Sequence, residues 1–154
     1  MDDGLARVSD GGRPRWMSLL ARAEPEHLED VWQSLEPRPV FRFLRVPEVG
    51  LVMLRGRMGG TGAAFNVGEA TVARCTVVLE EGLIGHAYVL GRDLRHVELA
   101  ALFDALLQRS PFESALRVRL LDPITRCLQA ERTEQTRRRE ATRVEFFTMV
   151  RGDD

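Results

Sequence analysis

Apolar side chains near the start of the chain recur every three or four positions. Trp16, Leu19, Leu20 and Ala23 form one such stripe, and Pro14 suits a first helical turn, so order is expected from residue 13. The polar, glycine-containing stretch 1–12 reads as a disordered N-terminus. Leu28, Val31, Trp32 and Leu35 repeat the helical spacing until Pro37 and Pro39 forbid continuation. From residue 40 the period falls to two: Val40, Leu44 and Val46 point one way, Phe41, Phe43 and Arg45 the other. Pro47 and Gly50 then read as a turn, and residues 51–57, whose early positions are apolar on both faces, as the returning strand of a hairpin. The run Arg57-Met58-Gly59-Gly60-Thr61-Gly62, with Phe65 and Gly68 beyond it, holds too much glycine for regular structure and predicts a loop.

Alternation returns over residues 71–79, with Ala73, Cys75, Val77 and Leu79 on one face and Arg74 and Thr76 on the other. Glu81 and Gly82 turn the chain. Residues 83–90 come back as a strand in which Gly85 and Ala87 leave room for a helix or another backbone to approach. Asp93 can cap a helix running to about residue 109, and apolar residues from Leu94 to Leu107 surround most of its axis, so it needs cover on more than one side. Pro111 ends that helix and Pro123 starts a last one whose second half is almost wholly polar. Residues 144–150, rich in β-branched and aromatic side chains, read as a strand carried beyond it. The expected fold is α+β: an antiparallel sheet of four to five strands with N-terminal helices, a buried central helix and a C-terminal helix-strand arm. Residues 13–154 form a single domain in this reading, with 124–154 as an arm for partner binding or exchange between subunits.

Composition narrows the chemistry. The chain has 154 residues, 44% hydrophobic, and its 22 basic side chains nearly balance 23 acidic ones for a net charge of −1. No global pull toward nucleic acid or anionic lipid follows from that balance. Every basic residue is arginine. A chain without lysine forms no Schiff base with a cofactor and lacks the phosphate-gripping lysine of a nucleotide P-loop. Cys75 and Cys127 are far apart, without metal-ligand or redox-motif spacing. With no basic-then-apolar leader and no apolar run near 20 residues, a cytoplasmic protein is expected.

Four groups of residues are weighed for chemistry. Arg55 and Arg57 lead into Gly59, Gly60 and Gly62, where bare backbone amides and a guanidinium can hold an anion; the competing reading is a tight turn where one subunit meets another. Arg92, His96, Glu98 and Asp104 form the second: an imidazole held by a carboxylate is an acid–base candidate, set against a structural histidine or an inter-subunit salt bridge. Cys75, His86 and His96 lack diagnostic spacing for a metal. The run Arg137-Arg138-Arg139 sits among Glu131, Glu134 and Glu140 without interleaved aromatics, which favours a solvated helix face over RNA binding.

Taken in order, Trp16-Met17-Ser18, the glycine run 57–62, Gly68-Glu69-Ala70-Thr71, Gly91-Arg92-Asp93 with His96, Glu98 and Asp104, and the tail 144–153 make the chain resemble the PhnG subunits of bacterial carbon–phosphorus lyase. The segment 110–135 matches least well. The resemblance implies an accessory subunit of a cytoplasmic transferase complex, a hetero-oligomer with two copies, working beside PhnH, PhnI and PhnJ. In that family an alkylphosphonate displaces adenine from ATP to give a ribose 1-alkylphosphonate 5-triphosphate. The S-adenosylmethionine and iron–sulfur chemistry that later cleaves the carbon–phosphorus bond belongs to a partner.

On this reading the chain binds no cofactor of its own, contacts no nucleic acid and no membrane, and supplies neither catalytic residue nor metal ligand. The sites expected to touch phosphate or a partner are Arg57, Gly59, Gly60, Thr61, Gly62, Arg74, Arg92, His96, Glu98, Asp104, Phe146, Phe147 and Arg151. The sheet, the central helix and the arm are all expected to be completed by partner chains. The rival reading is a stand-alone phosphate- or nucleotide-binding domain or a small hydrolase acting through His96.

Overall fold

A computed structural model describes residues 12–109 and 112–142. The strand expected over 144–150, with Phe146, Phe147 and Arg151, lies outside the described residues. Helix α1 (Arg13–Leu20) carries Pro14 in its first turn, and α2 (Pro25–Gln33) starts on Pro25; each buries one stripe, Trp16, Leu19 and Leu20 in the first and Leu28, Val31 and Trp32 in the second.

The sheet differs from the expectation. Pro47 and Gly50 do not reverse the chain: β1 (Phe41–Arg57) is one strand of 17 residues. Register shifts at Phe43/Arg45 and Arg45/Glu48 absorb the irregularity around the proline. Proline lacks an amide hydrogen, and β1 tolerates this because it is an edge strand, in the order β1-β2-β3. The expected loop is also shorter, a 3₁₀ turn at Met58–Gly60, so Phe65 and Gly68 belong to β2 (Ala64–Leu79). With β3 (Ile84–Leu90), three antiparallel strands replace the four to five expected, among the described residues.

Helix α3 (Leu94–Leu106) crosses the inner face of this sheet, its first turn capped by the Asp93 carboxylate, which accepts from the His96 amide at 2.8 Å. Ala73, Cys75, Val77, Ala87 and Val89 pave one side, and α1 and α2 cover the other. Every residue of α3 from His96 to Leu106, Glu98 excepted, is buried. This corrects the expectation that a partner covers the central helix: the chain covers it by itself. Helix α4 (Phe112–Leu116) and a π-helical turn, Arg117–Leu121, lead into α5 (Asp122–Ala141). Leu120, Leu121 and Ile124 anchor the start of α5, whereas residues 129–142 are all exposed, so the helix leaves the body.

Candidate assembly interface

Pairing between β2 and β3 stops at Val72↔Leu90, but β1 and β2 continue from Leu51↔Thr71 to Arg57↔Ala64. Residues 64–71 and their partners therefore project as a two-stranded ribbon, about 26 Å long at roughly 3.3 Å per residue. A ribbon in water would be expected to be polar. Instead Leu51 is 63% exposed, Val67 62% and Met58, at the tip, 76%, with Met53, Leu54 and Phe65 also exposed. Two strands without a packed face are marginal, so these side chains gain their energy only when something covers them. The outer edge of β1 is unpaired among the described residues and carries Arg42, Arg45, Arg55 and Arg57 against the single acid Glu48.

The glycine run forms the ribbon's tip. Gly59 and Gly60 sit at φ +60° and +80°, the left-handed region that side chains disfavour. The Gly62 amide donates to the Met58 carbonyl at 2.9 Å, and the Arg57 guanidinium donates to the Gly62 carbonyl at 3.2 Å. Tip geometry thus uses Arg57 and one of the amides expected to face an anion. Arg92 stands at the ribbon's other end, beside Gly91, whose amide donates to the Thr71 carbonyl at 2.9 Å. Seven residues of strand, roughly 23 Å, separate the level of Arg92 from that of Arg57, so the structure does not bring these two candidates together. Arg74 lies on the sheet, its Nε donating to Glu48 at 2.8 Å, and Glu48 also accepts from Arg45 at 3.1 Å.

His96 and Asp104 lie inside the core. His96 is 6% exposed and its Nε2 donates to the Leu20 carbonyl at 2.8 Å, tying α3 to the end of α1. Asp104 is fully buried and accepts four hydrogen bonds: Arg13 Nε at 3.0 Å, Arg13 Nη2 at 2.6 Å, Trp16 Nε1 at 2.9 Å and the His86 amide at 2.9 Å. That satisfies a buried carboxylate and joins α1, β3 and α3 at one point. The same contact raises the Arg13 pKa, through the hydrogen bond to Asp104 first and its charge next, against burial, which lowers it. Glu98 accepts from Arg95 at 2.8 Å, and Arg95 also reaches Glu29 on α2 at 2.8 Å.

Burial pushes the Cys75 thiol up to about 11, helped by the negative charge of Glu98, so it is neither thiolate nucleophile nor ready ligand near neutral pH. Its sulfur donates to the Arg45 carbonyl at 3.5 Å, while His86 Nδ1 faces the Thr76 hydroxyl at 3.2 Å. Among the described residues no group of three or more His, Cys, Asp or Glu is placed to hold a metal, and no helix is long and apolar enough to cross a membrane. Residue reading passed over Leu51, Met53, Leu54, Phe65 and Val67 as a site. The signal was present in the two-faced apolar pattern at 51–54, which a solvated hairpin has no use for.

A core covered by the chain's own elements and a projecting ribbon with exposed apolar side chains define a class: a small α+β protein with a three-stranded antiparallel sheet. The chain matches the family described as phosphonate metabolism protein PhnG over residues 12–152, and it belongs to that family. It is similar to the alpha-D-ribose 1-methylphosphonate 5-triphosphate synthase subunit PhnG of Rhizobium meliloti (strain 1021), at 43% identity over 153 residues, covering 99% of this chain and 94% of that protein.

Proposed function

We propose that this chain is the PhnG subunit of an alpha-D-ribose 1-methylphosphonate 5-triphosphate synthase and serves phosphonate catabolism by assembling with PhnI, PhnH and PhnJ. In this role it supports, without performing, the displacement of adenine from ATP by an alkylphosphonate. The observation that carries the reading is the apolar β1–β2 ribbon on a chain whose own core is already covered. His96 and Asp104, the acid–base candidates of the sequence, are spent on the Leu20 carbonyl and on the Arg13, Trp16 and His86 donors. What remains to offer a reaction is surface and position. Covering half-exposed side chains such as Leu51, Met53 and Phe65 contributes about 1 kcal/mol each before the costs of association.

The test is co-expression of the four subunits with Leu51→Glu and Val67→Glu together on this chain. Both side chains are exposed, so the variant is expected to melt like the wild type while losing co-purification and phosphonate-dependent adenine release. Wild-type recovery of the complex with undiminished adenine release would refute the reading.

A further inference from the structure

The two free edges of the sheet differ. Along β3 the backbone is met by side chains: the Ile84 carbonyl accepts from Arg13 Nη2 at 3.1 Å and from Gln108 Nε2 at 2.9 Å, and the His86 amide donates to Asp104 at 2.9 Å. Side chains thereby take the place of a fourth strand there. The edge of β1 is open among the described residues. Its first part is guarded by Pro47, by Arg42 and Arg45, and by the two register shifts between Phe43 and Glu48. From Val49 to Leu54 those guards are missing. This stretch pairs with β2 in unbroken register from Val49↔Ala73 to Leu54↔Gly68, carries no charge, and exposes Val49, Leu51, Met53 and Leu54. A regular, uncharged, apolar edge is a template for one more strand.

One strand-forming segment of the sequence lies outside the described residues. Over 144–150, Val144, Phe146, Thr148 and Val150 alternate with Glu145, Phe147 and Met149, so both faces of such a strand are largely apolar, as both faces of Val49–Leu54 are. As strands, residues 144–150 span roughly 23 Å and 49–54 roughly 20 Å, so the lengths match. Charge matches too: Arg42 and Arg45 precede the open stretch and Arg55 and Arg57 follow it, while the tail carries Glu145 and runs on to Asp153 and Asp154.

Reach decides whose tail it is. Helix α5 is rooted on α1 and the π-helical turn, on the side of α3 away from the sheet, and its exposed residues 129–142 extend about 21 Å at 1.5 Å per residue. A strand that starts two residues after Thr142 has at most about 7 Å of slack in which to turn back. The tail is therefore delivered to a neighbour rather than to its own β1.

We propose that the tail of one copy adds as a strand to the Val49–Leu54 edge of a second copy, and that the second copy returns its own tail, closing a two-fold dimer by exchange of arms. The bonds run along the edge, so both apolar faces of the ribbon stay available to other subunits, and the proposal does not rest on which of them docks there.

Sedimentation and hydrogen–deuterium exchange of the full chain alone, against a chain ending at Thr142, test it. The full chain is expected to be a dimer with slow amides over 49–54. The shortened chain, which retains the whole core cluster, is expected to be a monomer in which those amides exchange at least about tenfold faster, because alternate amides of an edge strand face whatever pairs there. Phe147→Pro with Thr148→Pro should do the same at full length: neighbouring amides point to opposite sides of a strand, so two adjacent prolines remove a donor from the pairing side in any register. A dimer that survives both changes, or amides over 49–54 that exchange alike in all three proteins, would overturn the proposal. A monomeric full chain would overturn it as well, and slow amides in that monomer would assign the tail to its own β1.

Discussion

Gly85 is where the sheet and the central helix come closest, and adding one methyl group there has a calculable consequence. A Cβ at position 85 would stand 1.9 Å from the Ala101 carbonyl oxygen, 2.7 Å from the Ala105 nitrogen and 2.9 Å from the Ala105 Cβ. Two of these neighbours are backbone, which no rotamer change can move aside. Restoring an ordinary contact of 3.4 Å means withdrawing α3 from β3 by about 1.5 Å. A gap of 0.5–1 Å already forfeits about a quarter to a half of each contact's attraction, and α3 is buried along almost its whole length. Gly85→Ala should therefore reach the upper end of the overpacking range, about 3 kcal/mol. In a domain of this size that lowers Tm by roughly 10 °C. Circular-dichroism melting of the full chain measures it, with Gly68→Ala as the control. Gly68 has nothing within 4 Å of its Cβ position and should change stability by less than about 0.5 kcal/mol. A Gly85→Ala protein melting within about 2 °C of wild type would refute the close-approach argument.

Two further predictions concern buried titratable groups. Asp104→Asn puts an amide in front of donors from Arg13, Trp16 and His86, and should cost about 3 kcal/mol, the low end for a broken buried pair because Arg13 is 38% exposed and can turn to water; an unchanged urea midpoint would contradict the four-donor account. Burial holds Cys75 near 11 when folded against 9.0 when unfolded, so above pH 9 the unfolded chain holds fewer protons and stability falls as pH rises through 11, toward a limit of about 2.7 kcal/mol. Consistent with this, a thiol reagent at pH 8 should label exposed Cys127 quickly and Cys75 only as fast as the chain unfolds. Two fast thiols would defeat the assignment.

Much of the architecture was legible because it is written within a few neighbouring residues. The stripe Trp16–Leu19–Leu20, the prolines opening α1, α2 and α5, the Asp93 cap and the alternation of Ala73, Cys75, Val77 and Leu79 are short-range signals, and they recur in the structure. The ordered motifs that resemble the PhnG family are likewise local strings, and the family match extends over residues 12–152. The turn at Pro47 and Gly50 misled because both residue types punctuate turns in general. Here the facing residues of β2 hold the strand straight, and an edge position forgives the proline.

The sequence by itself determined the helices, the apolar faces that would be buried, and the absence of lysine chemistry. Tertiary structure alone decided that Asp104 would be met by four donors from α1 and β3, and that His96 would face the Leu20 carbonyl. It also decided that the apolar residues of β1 would run out beyond β3. Helical and strand periodicity are local, but which polar groups become partners depends on segments up to a hundred residues apart arriving at the same place. Charge, exposure and available chemistry are all settled there.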